Sequence, residues 1–331
     1  MAFKWSRSNY LIVFVLAFVL LVRIVTALPL RQPGYMDAYY YYNVAESLYR
    51  GDGFTDYILW NFLDSPAGLP HPACLYWMPL TSIVIYPFVL LFGLSFRVAQ
   101  VPFILLSTVL AWVAYQVSID LSGKREQAVL AAMLVAFGGF YSVFWVTTDS
   151  FALFAVVASL ALYTAGRGVK ASRAGWFALS GGFAGLAHLS RADGVLVLVA
   201  VLLTLLLLGW RRPRLRRYVL FSCLWAVLVY LAVMSPWFYR NCQEAGSPLG
   251  GGGFQTLFLR DYDDLFSYGR ELTSPSYLAW GWPAILKSKL QALWFGFQNL
   301  LAVNLMIFLA PLSAWGLWTW RKKGALLPFA I

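Results

Sequence analysis

Two carboxylates and two guanidiniums, Asp37, Asp149, Arg191 and Arg240, stand where this chain passes between long apolar runs. A carboxylate can take a proton from a reacting hydroxyl or bind a hard cation, and an arginine fork can meet a phosphate with two parallel hydrogen bonds. Each group also has a plainer use. Asp37 and Asp149 can cap helices, Arg191 can pair with Asp193, and Arg240 can extend to lipid headgroups. Trp237, Tyr239 and Asn241 surround Arg240 with groups suited to recognition. Arg97 stands in a sparser setting that suits an interfacial anchor. His71 precedes Pro72 in a loop, whereas His188 lies inside a helical run and is expected to be packed or hydrogen-bonded. Two histidines and three cysteines supply no zinc spacing.

The elements that must position these residues are membrane helices. With 61% hydrophobic and 12% charged residues and a mean hydropathy of +0.69, the chain is far too apolar for a water-soluble domain. An all-α polytopic fold is expected. Apolar runs occupy 10–28, 77–93, 99–118, 127–146, 150–165, 175–189, 194–210, 218–235 and 290–317. The first resembles a signal peptide at Val25-Thr26-Ala27, but its length and Arg23 favour an uncleaved helix.

If all nine runs cross, the clusters Lys124/Arg125, Arg167/Lys170/Arg173 and Arg211–Arg217 face away from the cytoplasm, against the positive-inside rule. If 77–93 instead stays in the outer interface, beginning at Pro79 and ending at Gly93, every basic cluster becomes cytoplasmic. Cytoplasmic loops then hold 15 Lys/Arg, Lys4 and Arg7 among them, with two acids, against nine basic and twelve acidic residues outside. The net charge of +11 therefore reports orientation and not nucleic-acid binding. About eight transmembrane helices follow, with the N-terminus cytoplasmic and Arg23 snorkelling outward. Residues 29–98 form a large first external loop carrying interfacial helices, and 236–289 form a second. The whole chain reads as one domain, and its apolar end at Ala330-Ile331 suggests a C-terminally shortened chain.

Within the first loop, GYMDAYYYYNVAESLYRGDGF (34–54) predicts a helix from Asp37, whose carboxylate can cap it, to Gly51. In the second, the run Gly250 to Gly253 predicts a flexible hinge, and Asp261, Asp263 and Asp264 predict a solvated acidic loop able to act as a lid. Cys74 and Cys242 fall on the same side and can form a disulfide.

The order of several segments resembles the C-type integral-membrane glycosyltransferases, which use polyprenyl-phosphate sugars and include protein O-mannosyltransferases and aminoarabinose transferases. The similar segments are the acid and aromatics of 37–53, HPACLYWMPL (71–80), FGLSFRVAQVP (92–102), SGKRE (122–126), WVTTDSFALF (145–154), GLAHLSRADGVLVL (185–198) and SPWFYRNCQEAGSPL (235–249). Two departures stand out. Met36-Asp37 replaces the two acids many relatives carry, and AWGW (279–282) does not supply the WWDYG-type motif of oligosaccharyltransferases.

The resemblance implies sugar transfer to a lipid, glycan or protein acceptor at the extracytoplasmic face of a membrane, a bacterial plasma membrane by preference. Asp37 would be the base of an inverting displacement, and Asp149 would orient the acceptor or share a divalent cation with it. Arg191, Arg240, His71, Tyr76 and Asn241 would bind substrate. A noncatalytic lipid-binding or assembly subunit is the alternative, separated by donor-dependent activity of the purified protein. A transporter is disfavoured, because such proteins bury ionisable groups near the midplane in repeated halves and these gather at one leaflet.

Overall fold

The computed structural model describes residues 7–63 and 66–329; Lys4, Asp64 and the terminal Ala330-Ile331 lie outside the described residues. It is built of helices: α1 (Arg7–Ala27), α2 (Met36–Arg50), α3 (Leu80–Phe92), α4 (Phe96–Ser122), α5 (Arg125–Ala136), α6 (Ser150–Ala171) and α7 (Ala174–Ser190). There follow α8 (Val195–Arg211), α9 (Arg216–Ala245), α10 (Gly250–Gln255), α11 (Ser274–Ala279), α12 (Trp282–Asn299) and α13 (Leu309–Trp320). The strands β1 (Thr55–Asp56) and β2 (His71–Pro72) pair antiparallel, with Asp56 opposite His71.

By length and composition five helical segments among the described residues can cross a membrane, at Tyr10–Ala27, Phe96–Ser122, Ser150–Ala171, Ala192–Arg211 and Pro213–Ala245. A sixth is counted if α5 and the turn Gly139–Val146, bent by 70°, form one broken span. The other two runs expected to cross take different forms. Run 175–189 becomes α7, whose 17 residues reach only about 25 Å at ~1.5 Å per residue. Run 290–317 is divided between α12 and α13 by a π-turn at Leu300–Asn304. Of these two helices only Ile285 is buried among the described residues.

The packing gathers the basic clusters at one end of the bundle. Arg167 bonds Asp120 at 2.9 Å, Lys323 Nζ donates to Leu121 O, and Tyr218 Oη donates to Gly168 O at 3.1 Å. These contacts join the end of α4, the end of α6, the start of α9 and the end of α13. At the opposite end Arg97 donates to Ala27 O (2.8 Å) and Leu28 O (2.7 Å), so α1 finishes where α4 starts. Arg97 thus caps the carbonyls of a helix end instead of standing as a simple anchor. The described residues between Leu28 and Ser95 leave and return to this end. The 13 residues of α3, about 20 Å long, pack against α2, α4 and α7 without carrying the chain across the bundle.

Two loop expectations are corrected. The four glycines are helical, as α10, because their missing side chains let the backbone close on the first loop. A Cβ on Gly250, which has φ +74°, would lie 2.4 Å from Leu75 O, and one on Gly252 would lie 3.1 Å from Leu63 Cβ. Asp264 is also not solvated: only 3% exposed, it accepts from the backbone N–H of Arg260 and Asp261 and from Arg270 Nε at 2.7 Å.

Candidate active site

At the end of the bundle opposite the basic clusters, three consecutive residues clamp the start of α2. Thr147 Oγ1 donates to Pro33 O (3.2 Å), Thr148 Oγ1 to Ala38 O (2.8 Å), and Asp149 Oδ2 accepts from Tyr35 Oη. Gln100 Nε2 secures the preceding carbonyl, Val146 O, at 3.1 Å. On the far side of α2, Ser82 Oγ in α3 donates to Tyr41 O (2.9 Å). The helix carrying Asp37 is therefore held from both flanks.

Asp37 lies in the first turn of α2, and Tyr35 takes the N-cap position. The expectation that Asp37 caps this helix is thereby corrected. The cap position falls two residues earlier in the chain, leaving the carboxylate half-buried. Burial, then the charge of Asp149, pushes its pKa up to about 6, with Arg191 pulling in the opposite direction. Asp149 is 2% exposed and does act as an N-cap, its Oδ1 accepting from the Ser150 N–H and from Ser150 Oγ at 3.0 Å. Burial raises its pKa as well, against the bonds from Tyr35 and Ser150 and the charge of Arg191.

Arg191 forms a bidentate pair with Asp193 (Nε–Oδ1 3.0 Å, Nη2–Oδ2 3.1 Å) over the rings of Phe151 and Phe154. The ion pair anticipated as its plainer use exists, and the guanidinium also sets the field around Asp37 and Asp149. Half-buried Tyr76 belongs to the same neighbourhood. Its hydroxyl is held protonated by burial, by Tyr262 and by Asp37.

Arg240 forms a second grouping. Its guanidinium lies 4.8 Å from the Trp237 ring centroid and 5.9 Å from that of Phe54, with hydrogen bonds of 3.4 Å to Asn241 Oδ1 and Phe54 O. It turns toward the first loop instead of reaching for headgroups. Asn241 is 3% exposed, and its amide donates to Pro248 O at 3.1 Å, tying the end of α9 to the approach to α10. His71, in β2, lines a small, open cleft with Asp56, Trp60, Asn61, Tyr76 and Trp77.

His188 is packed as expected, with Nδ1 2.6 Å from Tyr230 Oη. The disulfide expectation is corrected: Cys74 is buried, Cys242 exposed, and both are free thiols. Among the described residues no group of three or more His, Cys, Asp or Glu is arranged to hold a metal ion. Sequence reasoning passed over Tyr35, Thr147 and Thr148. Their signal was adjacency, since they flank the two singled-out acids in GYMD and TTD.

A helical bundle with five or six candidate membrane spans among its described residues belongs to the class of integral membrane proteins. Residues 71–239, just over half the chain, match the family of dolichyl-phosphate-mannose-protein mannosyltransferases, and the chain belongs to that family of membrane glycosyltransferases. No curated protein and no solved structure matches it.

Proposed function

We propose that this protein transfers a sugar from a polyprenyl-phosphate donor to an acceptor hydroxyl, with Asp37 as the general base. The observation that carries the reading is the state of Asp37: held from two sides, beside a buried second acid, with its pKa raised to about 6. A base is most effective when its pKa lies near the working pH. In the reaction the acceptor oxygen bonds to the anomeric carbon, the bond from that carbon to the phosphate oxygen breaks, and Asp37 takes the hydroxyl proton. Prenyl phosphate leaves with the bonding electrons. A single displacement of this kind inverts the anomeric centre.

Asp149, already engaged by Tyr35 and Ser150, adds its electrostatic influence to the burial that raises Asp37 and orients the acceptor. Arg240 is the better donor ligand of the two arginines. Its 3.4 Å hydrogen bonds are long and readily exchanged for phosphate, whereas the fork of Arg191 is occupied by Asp193. Arg191, Tyr76, Asn241 and His71 are assigned to the binding of sugar and acceptor. The basic clusters at the other end favour a cytoplasmic position for that end, which supports a reaction on the extracytoplasmic side.

The test is transfer of labelled sugar from a defined polyprenyl-phosphate donor by purified protein and by Asp37→Asn. Asparagine keeps the shape of the side chain and cannot accept the proton, so turnover should disappear while donor binding persists. Normal turnover by the folded variant would exclude Asp37 as the base.

A further inference from the structure

Arg23 lies within α1 and, at 0% exposure, does not snorkel outward. A guanidinium buried at membrane depth is expensive unless the protein surrounds it with acceptors. Its Nη2 donates to Val135 O at 2.5 Å, and its Cζ lies 5.9 Å from the centroid of the Trp145 ring. Val135 is in the last turn of α5, just before the 70° bend. The final carbonyls of a helix lack intrahelical donors and carry the negative end of its dipole, so a cation is stabilised there. Trp145, in the segment after the bend, closes on Gly138: a Cβ on that glycine would lie 2.6 Å from Trp145 Nε1. Four residues beyond Trp145 is Asp149.

We propose that Arg23 is a positioning residue: from α1 it caps the open end of α5 and, through Trp145, fixes the path of residues 137–149 that sets Asp149 beside Asp37. This rests on the reading of those two acids as the reaction centre. The helical hydrogen bonding of α5 stops before Phe137, so that helix does not by itself set the path beyond it. Thr147 and Thr148 fasten the far end of the segment, and Arg23 with Trp145 fastens the near end.

The test compares Arg23→Gln, Arg23→Lys and Arg23→Met, alone and with Asp149→Asn, in the full chain. Arg23→Gln should lower kcat by roughly tenfold to a hundredfold, the scale of an ångström-level misplacement, with the donor KM within about twofold. Arg23→Lys should recover part of kcat, since one charge can still meet the α5 carbonyls. In an Asp149→Asn background the Arg23 change should cost little more, because residues acting as a unit are not additive. Arg23→Met should accumulate as folded protein, its apolar chain suiting a buried position, and lose kcat like the glutamine variant.

An arm without turnover follows maleimide labelling of a single cysteine introduced at Ser142, which should speed up several-fold in Arg23→Gln as the segment is released. Unchanged labelling and kcat would overturn the proposal, as would losses that simply multiply with Asp149→Asn. If the wild type transfers no sugar, the functional reading fails and the labelling arm alone decides the structural part.

Discussion

The acid limb of the pH–rate profile follows directly from the surroundings of Asp37. With a pKa of about 6 in place of 3.8, the carboxylate is roughly nine-tenths ionised at pH 7 and roughly one-tenth at pH 5. The matching quantity is kcat/KM, which reports free-enzyme ionisations. It should fall by nearly tenfold between pH 7 and pH 5, where an ordinary aspartate would lose less than about a tenth of its activity. The phosphodiester of the donor stays anionic throughout this range and adds no limb of its own.

The two charges flanking Asp37 move that limb in opposite directions. Asp149→Asn removes the second cause of the elevation and leaves the first, burial, so the limb should shift down yet remain above the ordinary carboxylate range. Arg191→Gln removes the one opposing charge, so its limb should shift up. The assay is initial-rate transfer in detergent or nanodiscs at low donor concentration, from pH 4.5 to 8, with protein integrity checked at each pH. A wild-type profile flat from pH 7 to 5, or variants whose limbs shift the same way, would refute the electrostatic argument whatever the absolute rates.

Ionised Asp37 is disfavoured in the folded state: with its folded pKa raised, its contribution to stability is greatest below pH ~3.8 and is lost as pH rises through about 6. Asp37→Asn should therefore melt at an equal or higher temperature than wild type at pH 7.5, and a lower melting temperature would contradict the burial argument. Arg240→Gln should weaken binding of the donor by roughly 10- to 150-fold, the equivalent of about 1.5–3 kcal/mol for a charge-assisted bond, with Arg240→Lys in between. Equal affinities in titrations of the three proteins would remove Arg240 from the donor site. Single cysteines at Ser122 and Ser172 should react with impermeant reagent only from the cytoplasmic side, and labelling from outside would invert the proposed orientation. Gly250→Ala, forcing a Cβ to within 2.4 Å of Leu75 O, should displace the 74–76 segment and reduce transfer more than Gly253→Ala, whose Cβ would meet Leu249 Cβ at an ordinary 3.6 Å.

How much was legible in the sequence depended on whether the deciding force was local. Hydropathy and charge located the long helices, and the αL glycine Gly51 marked the end of α2, because each signal lies within the segment it describes. Gly250–Gly253 failed the same treatment. Their poor helix propensity predicts a hinge, while the close approach of Leu75 O and Leu63, distant in sequence, makes the small residues fit a packed helix. The run 127–146 reads as one continuous stretch because hydropathy averages over Phe137 and Gly138, where the chain bends by 70°; just before that bend Val135 O accepts from Arg23, more than a hundred residues away.

At the site the contrast is sharper. Asp37 and Asp149 were noticeable as isolated acids among apolar residues, yet nothing in the sequence says that Thr147 and Thr148 reach back to Pro33 and Ala38. Those two hydroxyls turn separate acids into a pair, and the pairing adds the charge of Asp149 to the burial that raises Asp37. An aspartate at a helix start reads as a cap until its neighbours are known. Here the cap position belongs to Tyr35, whose side chain bonds Asp149, so the carboxylate of Asp37 is not spent on the cap.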